Sequence, residues 1–220
     1  MMLRANKRNI ANFLSYYLWI VIVFAIVSFA GSTLLLSAIN KIQDHERFSI
    51  FIAAYGIKED RGKEEIKTLL KDDGIVEVNY YSYRNDDSRI GAYYDAFGYY
   101  SEINILSEKD VKDMKETIKN VYIPFSDSLK NTAEIPLNYE YYPAFDGKIY
   151  ALKIYDKDNE TYNTHFNYTD WINFKSEKNQ TDNFYLLLSY RSPNFGEYGK
   201  RNMNTSALKG LKYFINENTK

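Results

Sequence analysis

The chain has 220 residues, and its 28 Lys and Arg against 29 Asp and Glu give a formal net charge of -1. This balance argues against a nucleic-acid partner, because binding to phosphates needs a surplus of basic side chains on one surface. The sequence contains no cysteine, which excludes a disulfide framework, a thiolate metal site and a cysteine nucleophile among these residues.

The first predicted element is a membrane-spanning helix. No charged residue lies between Arg8 and Lys41, and residues 17–36 are almost wholly apolar. At a rise of 1.5 Å per residue, about 20 apolar residues cross the hydrocarbon core of a bilayer. The small-x-small triplet at 28–30 fits a signal-peptide cleavage site, but the apolar run continues to Leu36 and favours a retained anchor.

The charges on either side of this helix predict its orientation. Arg4, Lys7 and Arg8 crowd its N-terminal side, whereas Lys41 and Arg47 are offset by acidic neighbours. Basic residues favour the cytoplasmic side of a membrane. We therefore expect a basic cytoplasmic segment over 1–8, a transmembrane anchor over 9–40 and one extracytoplasmic domain over 41–220.

The first half of the outer domain predicts alternating strands and helices. Residues 48–54 form an apolar run typical of a strand buried on both faces, 63–71 carry an apolar helical stripe, and 75–82 alternate as a second strand. Such a βαβ unit pairs its strands in parallel. Further elements are expected as a short aromatic helix at 90–100, a strand at 103–106, and a helix at 107–120 that opens with the capping box Ser107-Glu108-Lys109-Asp110.

The second half of the domain is less regular. Strands are expected at 148–155 and 183–189, with a polar surface excursion at 156–181 between them, and a helix is expected at 205–217. The fold class predicted from all these elements is α/β. It comprises an N-terminal transmembrane helix followed by one three-layer α/β domain with a mostly parallel sheet.

Three consecutive segments resemble a known family. The strand at 48–54, the strand at 75–82 and the stretch Glu102-Ile103-Asn104-Ile105-Leu106 before a helix follow the order of the first lobe of extracellular solute-binding proteins, the receptors of ABC importers. Gly147-Lys148-Ile149-Tyr150-Ala151-Leu152 is similar to that family's Gly-Lys-x-Tyr-Gly-x-Pro stretch, with Ala151 and Lys153 in place of its second Gly and its Pro. Glu102 stands where the family has Asp. The resemblance covers residues 48–155 and implies a single, membrane-tethered lobe of this kind.

The strand ends predict where a partner or ligand binds. In a parallel sheet, the loops that follow the carboxyl ends of the strands face the ligand. The candidate partner- or ligand-binding residues on these loops are Tyr55, Tyr83, Asn85, Asp86 and Asp87. Tyrosine would serve as an anchor there, and aspartate would set the orientation of the partner.

The 22 tyrosines include clusters at 80–83, 93–94, 99–100 and 139–142. Exposed tyrosines suit protein interfaces and sugar faces, because the ring packs while the hydroxyl stays hydrated. The alternative, which the general preference of strands for aromatic residues favours, is that these rings fill half-buried faces.

No metal site or cofactor is predicted. Asp156, Asp158 and Glu160 have the spacing that opens a calcium loop, but Thr161 replaces the required Gly, so a solvated turn is the better interpretation. His45 lies between two acidic residues, and three adjacent side chains do not converge on one ion.

We therefore expect a non-enzymatic accessory or docking subunit of a membrane assembly such as a transporter, with a membrane protein as its partner. One alternative is a tethered receptor that binds a small solute, for example a sugar, directly. Another is a surface hydrolase that uses paired carboxylates, since acidic residues are plentiful.

The predicted topology can be tested with protease on intact cells or spheroplasts. Because Arg4, Lys7 and Arg8 flank only one end of the helix, added protease should digest the chain from Lys41 onward without lysis. Full protection in intact cells, with digestion only after lysis, would show the opposite orientation.

Overall fold

The computed structural model describes residues 7–39, 41–84, 90–135, 139–142, 145–158, 161–162, 172–176, 181–192, 194–195 and 206–215. The chain divides into two compact units, Met1–Ile42 and Gln43–Lys220.

The first unit contains one long helix, α1, which spans Lys7–Ile39 and confirms the predicted N-terminal helix. Its 24-residue stretch Ser15–Ala38 is, within the described part of the chain, the one helix long and apolar enough to cross a membrane. None of this stretch is buried, and Phe24 and Phe29 are each about three-quarters exposed. A signal sequence near an N-terminus can also meet this criterion of length and composition.

The second unit combines helices with a mixed sheet. Its strands are β1 Arg47–Ala54, β2 Gly56–Ile57, β3 Glu77–Arg84, β4 Ile103–Ser107, β5 Leu152–Asp156, β6 Thr161–Tyr162, β7 Ile172–Asn173 and β8 Phe184–Leu188. Its α-helices are α2 Glu59–Leu70, α3 Ile90–Ala96, α4 Glu108–Asp113, α5 Lys115–Val121, α6 Asp127–Ala133 and α7 Ser206–Ile215.

The main sheet has the strand order β3-β1-β4-β8-β5-β6. β1 pairs in parallel with β3 and β4, as the βαβ pattern predicted, whereas β8 is antiparallel to both β4 and β5. Because β8 reverses direction between them, β5 runs the same way as β1, β3 and β4. The α/β class is thus confirmed, and its sheet is mixed, with four strands in one direction. β2 and β7 form a separate two-stranded ribbon.

The strands β1 and β8 are buried on both faces, which explains their nearly continuous apolar sequence. In β1, Phe48, Ile50 and Ile52 join a cluster with apolar residues of α2 and α7. Phe51 and Ala53 point the other way, into a cluster with residues of α4 and α5. The period-2 alternation of a strand therefore divides the core into two parts, one on each side of the sheet.

Three predicted elements differ from the structure. The polar surface excursion expected at 156–181 contains β6 and β7, and its Ile172 and Phe174 are buried in the core. The helix expected at 107–120 is interrupted at Met114, which ends α4 and precedes α5. The strand expected at 148–155 begins only at Leu152, because Lys148 is engaged in a tight turn with Phe145, to which it is paired through both backbone groups.

Helix α7 approaches the sheet closely at Gly210. A Cβ atom added to Gly210 would collide with the ring of Phe48, which is fully buried in β1. The absence of a side chain at Gly210 therefore allows the helix and the strand to pack together.

We expect Gly210→Ala to destabilise the protein by about 1–3 kcal/mol, because overpacking outweighs the roughly 1 kcal/mol by which alanine favours a helix. The control is Gly91→Ala in α3, where nothing lies within 4 Å of an added Cβ, and this variant should be neutral or slightly stabilising. Thermal or urea unfolding measures both. Equal effects at Gly91 and Gly210 would contradict the packing argument.

Candidate functional site

The strands that run in one direction end at a common border of the sheet, which we call the carboxyl edge. Ala54 of β1 is in register with Arg84 of β3, and Ile52 is in register with Ile105, two residues before β4 ends at Ser107. Ligand sites in sheets of this kind lie beyond such an edge. The carboxyl edge is therefore the border of the sheet where a bound ligand or partner is expected.

Of the five candidate residues, two lie in the described part of the chain and occupy different environments. Tyr55 is half-buried; its backbone N–H donates to the Asn173 carbonyl oxygen (2.9 Å), and its ring meets that of Phe184 edge-on. Tyr83 is only 6% exposed and belongs to the core cluster that contains Phe51 and Ala53. Asn85, Asp86 and Asp87 lie outside the described residues.

The predicted capping box forms the start of α4 at the carboxyl edge. The Ser107 hydroxyl accepts from the Asp110 N–H (3.1 Å), and Asp110 Oδ2 accepts from the Ser107 hydroxyl (2.7 Å) and backbone N–H (3.3 Å). These bonds satisfy N–H groups that a helix start would otherwise leave unpaired. Burial raises the pKa of Asp110, although the bonds from Ser107 oppose this effect.

A crevice of about 250 Å³ opens beside this capping box, and we call it the carboxyl-edge crevice. It lies where α4, the end of β5 and the start of β8 meet. Six charged side chains line it: Glu108, Lys109, Lys112, Asp113, Lys157 and Asp182. Three are acidic and three are basic, so the crevice is strongly polar with no net charge.

The acidic side of the crevice is held in place by hydrogen bonds. Glu108 pairs with Lys112 at 2.6 Å and accepts from the Asn183 side-chain amide at 2.6 Å. The bond from Lys112 lowers the pKa of Glu108. Asp182 accepts from the Lys109 backbone N–H at 3.2 Å. These two carboxylates are therefore fixed in orientation.

The ammonium groups of Lys109 and Lys157 are in a different situation. Neither forms an ion pair with a carboxylate of the described residues, although both line the crevice. They are consequently available to an anionic group brought by a partner.

A second polar cluster lies at the opposite border of the sheet, the amino edge, where β1 and β4 begin. Glu102, which is 2% exposed, accepts hydrogen bonds from the Ser49 backbone N–H, the Asn194 side-chain amide and Ser192. Asn194 also donates to the Arg47 carbonyl oxygen and accepts from the Ala207 N–H (3.0 Å) at the start of α7. One carboxyl group thus joins three segments that are distant in sequence.

Burial makes the charged form of Glu102 less favourable and so changes its pKa. Desolvation is the largest effect and raises the pKa of Glu102 to about 7, although three donors stabilise its charged form. The sequence singled out Glu102 only as a departure from a family pattern. Its partners Ser192 and Asn194 are remote in sequence, so no local spacing indicates the cluster.

The calcium-like spacing forms a turn in the described residues. Asp156 Oδ1 accepts from the Asp158 N–H (2.9 Å), and Asp156 Oδ2 accepts from Lys153 (2.7 Å). Glu160 and His165 lie outside the described residues. Within the ranges that are described, no group of three His, Cys, Asp or Glu side chains could hold a metal ion.

Comparison with protein-family models, with curated proteins and with solved structures finds no match to the chain.

The burial of Glu102 predicts how stability depends on pH. Because its pKa in the folded protein is above the value of about 4.5 expected when unfolded, its stabilising contribution is complete below pH 4.5 and is lost as pH rises through 7. The free energy of unfolding should fall by about 3 kcal/mol at most between pH 5 and 8 from this group.

Glu102→Gln should flatten this decline, because glutamine does not ionise. The matched control is Glu116→Gln in α5, whose carboxylate is 80% exposed, and it should leave the decline unchanged. Urea unfolding at several pH values measures both. A decline that persists fully in Glu102→Gln would assign it to other groups.

Proposed function

We propose that the chain is a non-enzymatic, membrane-anchored extracytoplasmic module that docks a membrane-protein partner, such as a transporter subunit, at the carboxyl-edge crevice. The observation that carries this proposal is the character of the crevice. Sites that enclose small molecules usually have volumes of about 300–1,000 Å³ and mostly apolar walls. This one is smaller, open and lined by six charged side chains, which suits a polar protein surface of complementary charge.

The membrane anchor in this proposal is α1. Its length, its apolar composition and its exposed side chains support a bilayer environment. The basic residues Arg4, Lys7 and Arg8 before and within its first turn support a cytoplasmic N-terminus. Sequencing of the mature N-terminus tests retention, since a start near residue 33 would show that α1 is a cleaved signal sequence.

The proposal includes a three-layer lobe similar to the first lobe of extracellular solute-binding proteins. Apolar residues of α2 and α7 lie in one core cluster and those of α4 and α5 in the other, which supports helices on both sides of the sheet. The order β1, α2, β3, α3, β4, α4 supports the resemblance.

A tethered receptor for a small anionic solute is the second candidate function. The two lysines of the crevice without a described carboxylate partner, Lys109 and Lys157, favour it. Soaking the purified protein with small organic acids and measuring the melting temperature distinguishes this candidate, because only a receptor is stabilised by ligand.

Charge reversal in the crevice tests the docking proposal. We expect Lys109→Glu with Lys157→Glu to lower recovery of the co-purified partner at least about tenfold, since like charges across an interface cost several kcal/mol. Purification from detergent followed by mass spectrometry measures this recovery.

The matched control is Lys67→Glu with Lys71→Glu, two exposed lysines at the end of α2 and just after it. It makes the same change in net charge away from the crevice and should leave recovery unchanged. Tyr83 is unsuitable for this test because its ring is buried, and alanine there would reduce core packing. Unchanged recovery in the crevice variant would place the docking surface elsewhere.

A further inference from the structure

The tight turn between α3 and β4 carries two exposed aromatic side chains. Phe97 is 38% exposed and Tyr100 is 64% exposed. Among the described residues of the unit Gln43–Lys220, Val76 is the one other large apolar side chain that is exposed. Exposed apolar groups that lie together usually mark an interaction surface.

Hydrogen bonds hold this turn in one conformation. The Phe97 carbonyl oxygen accepts from the Tyr100 N–H (3.3 Å) and from the Ser101 hydroxyl (2.9 Å). The Gly98 carbonyl oxygen accepts from the Ser101 N–H (3.1 Å). Gly98 is buried against the ring of Tyr94, with which an added Cβ atom would collide. Because the turn is ordered before anything binds, binding through it costs little conformational entropy.

Ring contacts join the turn to β3 and to the segment after β8. Phe97 stacks on Tyr81 with 4.7 Å between ring centroids, and Tyr100 meets Tyr99 edge-on at 5.3 Å. The guanidinium of Arg191 lies 3.9 Å from the centroid of Tyr99. Tyr81 and Tyr99 pack against the same core cluster, the one on the side of α4 and α5. We call these five connected residues the aromatic platform.

Backbone bonds fix Arg191 beside the turn. The Ser189 N–H donates to the Glu102 carbonyl oxygen (2.9 Å), which brings the end of β8 next to the end of the turn, and the Arg191 N–H donates to the Ser189 hydroxyl (3.1 Å). The Arg191 side chain is exposed and forms no ion pair with a carboxylate in the described part of the chain. A guanidinium that lies over a ring keeps its N–H donors, which are in its own plane, for other acceptors.

The charges of the platform indicate a ligand with one negative charge per group. A carboxylate matches a guanidinium with two parallel hydrogen bonds. A phosphate monoester carries a charge of nearly −2, and the platform offers one cation. Asp95 and Arg191 shift the pKa of Tyr94 in opposite directions, so an acidic side chain lies in the same neighbourhood and disfavours a highly charged anion.

The size of the platform indicates a small, flat contact. Aromatic side chains have about 150–250 Å² of surface each, so the exposed fractions of Phe97 and Tyr100 together amount to about 150–250 Å². A stable protein interface takes about 800 Å² from each partner. The apolar C–H face of one or two sugar rings fits the smaller area, and the hydroxyl of Tyr100 remains available to sugar hydroxyls.

We propose that the aromatic platform binds a glycan whose sugar rings carry carboxylate groups. One ring of the glycan packs on Phe97 and Tyr100, and its carboxylate is bound by Arg191. This site uses residues of the unit Gln43–Lys220 alone and is separate from the carboxyl-edge crevice. It adds a ligand-binding function to the proposed docking function, and neither depends on the other.

Titration of the full chain with carboxylated oligosaccharides tests the proposal. The probes are short oligomers of galacturonate, of mannuronate and of hyaluronan, together with sialyllactose, and the detergent has no sugar headgroup. Saturation-transfer NMR on the sugar protons measures binding. We expect saturable binding of at least one probe with a Kd below about 10 mM. Its methyl ester, which keeps the ring and loses the charge, should bind at least about tenfold more weakly.

Variants assign the binding to the platform. Arg191→Gln and Tyr100→Ala should each raise the Kd at least about tenfold, because one removes the charged donor and the other removes the packing surface. The matched controls are Lys67→Gln at an exposed position of α2 and Val76→Ala at the exposed apolar residue outside the platform. Both controls should leave the Kd unchanged. The melting temperature of every variant should remain close to that of the unaltered chain.

Three results would overturn the proposal. The first is the absence of saturable binding by every carboxylated probe up to about 10 mM. The second is binding that survives in Arg191→Gln but is lost in Lys109→Gln with Lys157→Gln, which would place the anion in the carboxyl-edge crevice and favour the receptor function there. The third is a Tyr100→Ala chain that loses its co-purified partner while no probe binds, which would show that protein covers the platform. Charge reversal in the crevice tests the docking proposal separately.

Discussion

The burial of β1 on both faces is the constraint on which the other elements of the globular unit depend. From Phe48 to Ala54 every side chain but that of Ser49 is at most 1% exposed. Each large apolar side chain buried in this way contributes about 1.5–3 kcal/mol, which requires packing partners on both sides of the strand. Helices α2 and α7 supply residues for one side, and α4 and α5 supply them for the other. The close approach of Gly210 to Phe48 is one consequence.

The common direction of β1, β3, β4 and β5 gives the unit two chemically different borders. The carboxyl edge receives the start of α4 and the charged crevice, whereas the amino edge receives the chain from α1 and holds the Glu102 cluster. In the proposed arrangement, attachment and docking therefore occupy opposite ends of the same strands.

Glu102 explains how the amino edge keeps a defined structure beside the linker. An ionised carboxyl group without partners would be too costly to bury, and the three donors around Glu102 reduce this cost without removing it. Asn194 of the same cluster donates to the carbonyl oxygen of Arg47, the first residue of β1, and accepts from the N–H of Ala207 at the start of α7. The cluster therefore connects this strand with this helix. Buried polar networks of this type favour one arrangement of the chain over others, since a shifted register would leave several groups unpaired.

The features that were predicted from the sequence are those with a local pattern. The apolar runs that became β1 and β8 and the capping box of Ser107 and Asp110 depend on residues that are close in sequence. The insertion of β8 between β4 and β5 has no such pattern, because strand pairing between distant segments depends on the whole fold. The crevice is also non-local, since Lys157 and Asp182 join α4 only in three dimensions. For the same reason the buried position of Tyr83 was not evident from its place near a strand end.

The exposure of each tyrosine, and not the number of tyrosines, indicates which of them could contact a partner. Tyr80, Tyr83, Tyr94 and Tyr139 are each at most 8% exposed, in agreement with the interpretation that aromatic residues fill strand faces and core borders. Their hydroxyl groups need partners inside the protein, as in the bond of 2.7 Å between Tyr94 and Tyr122. Burial raises the pKa of Tyr94 and Tyr122 well above the ordinary value, so both hydroxyl groups remain neutral. Tyr100 departs from this pattern, because it is 64% exposed although its ring meets that of Tyr99 edge-on.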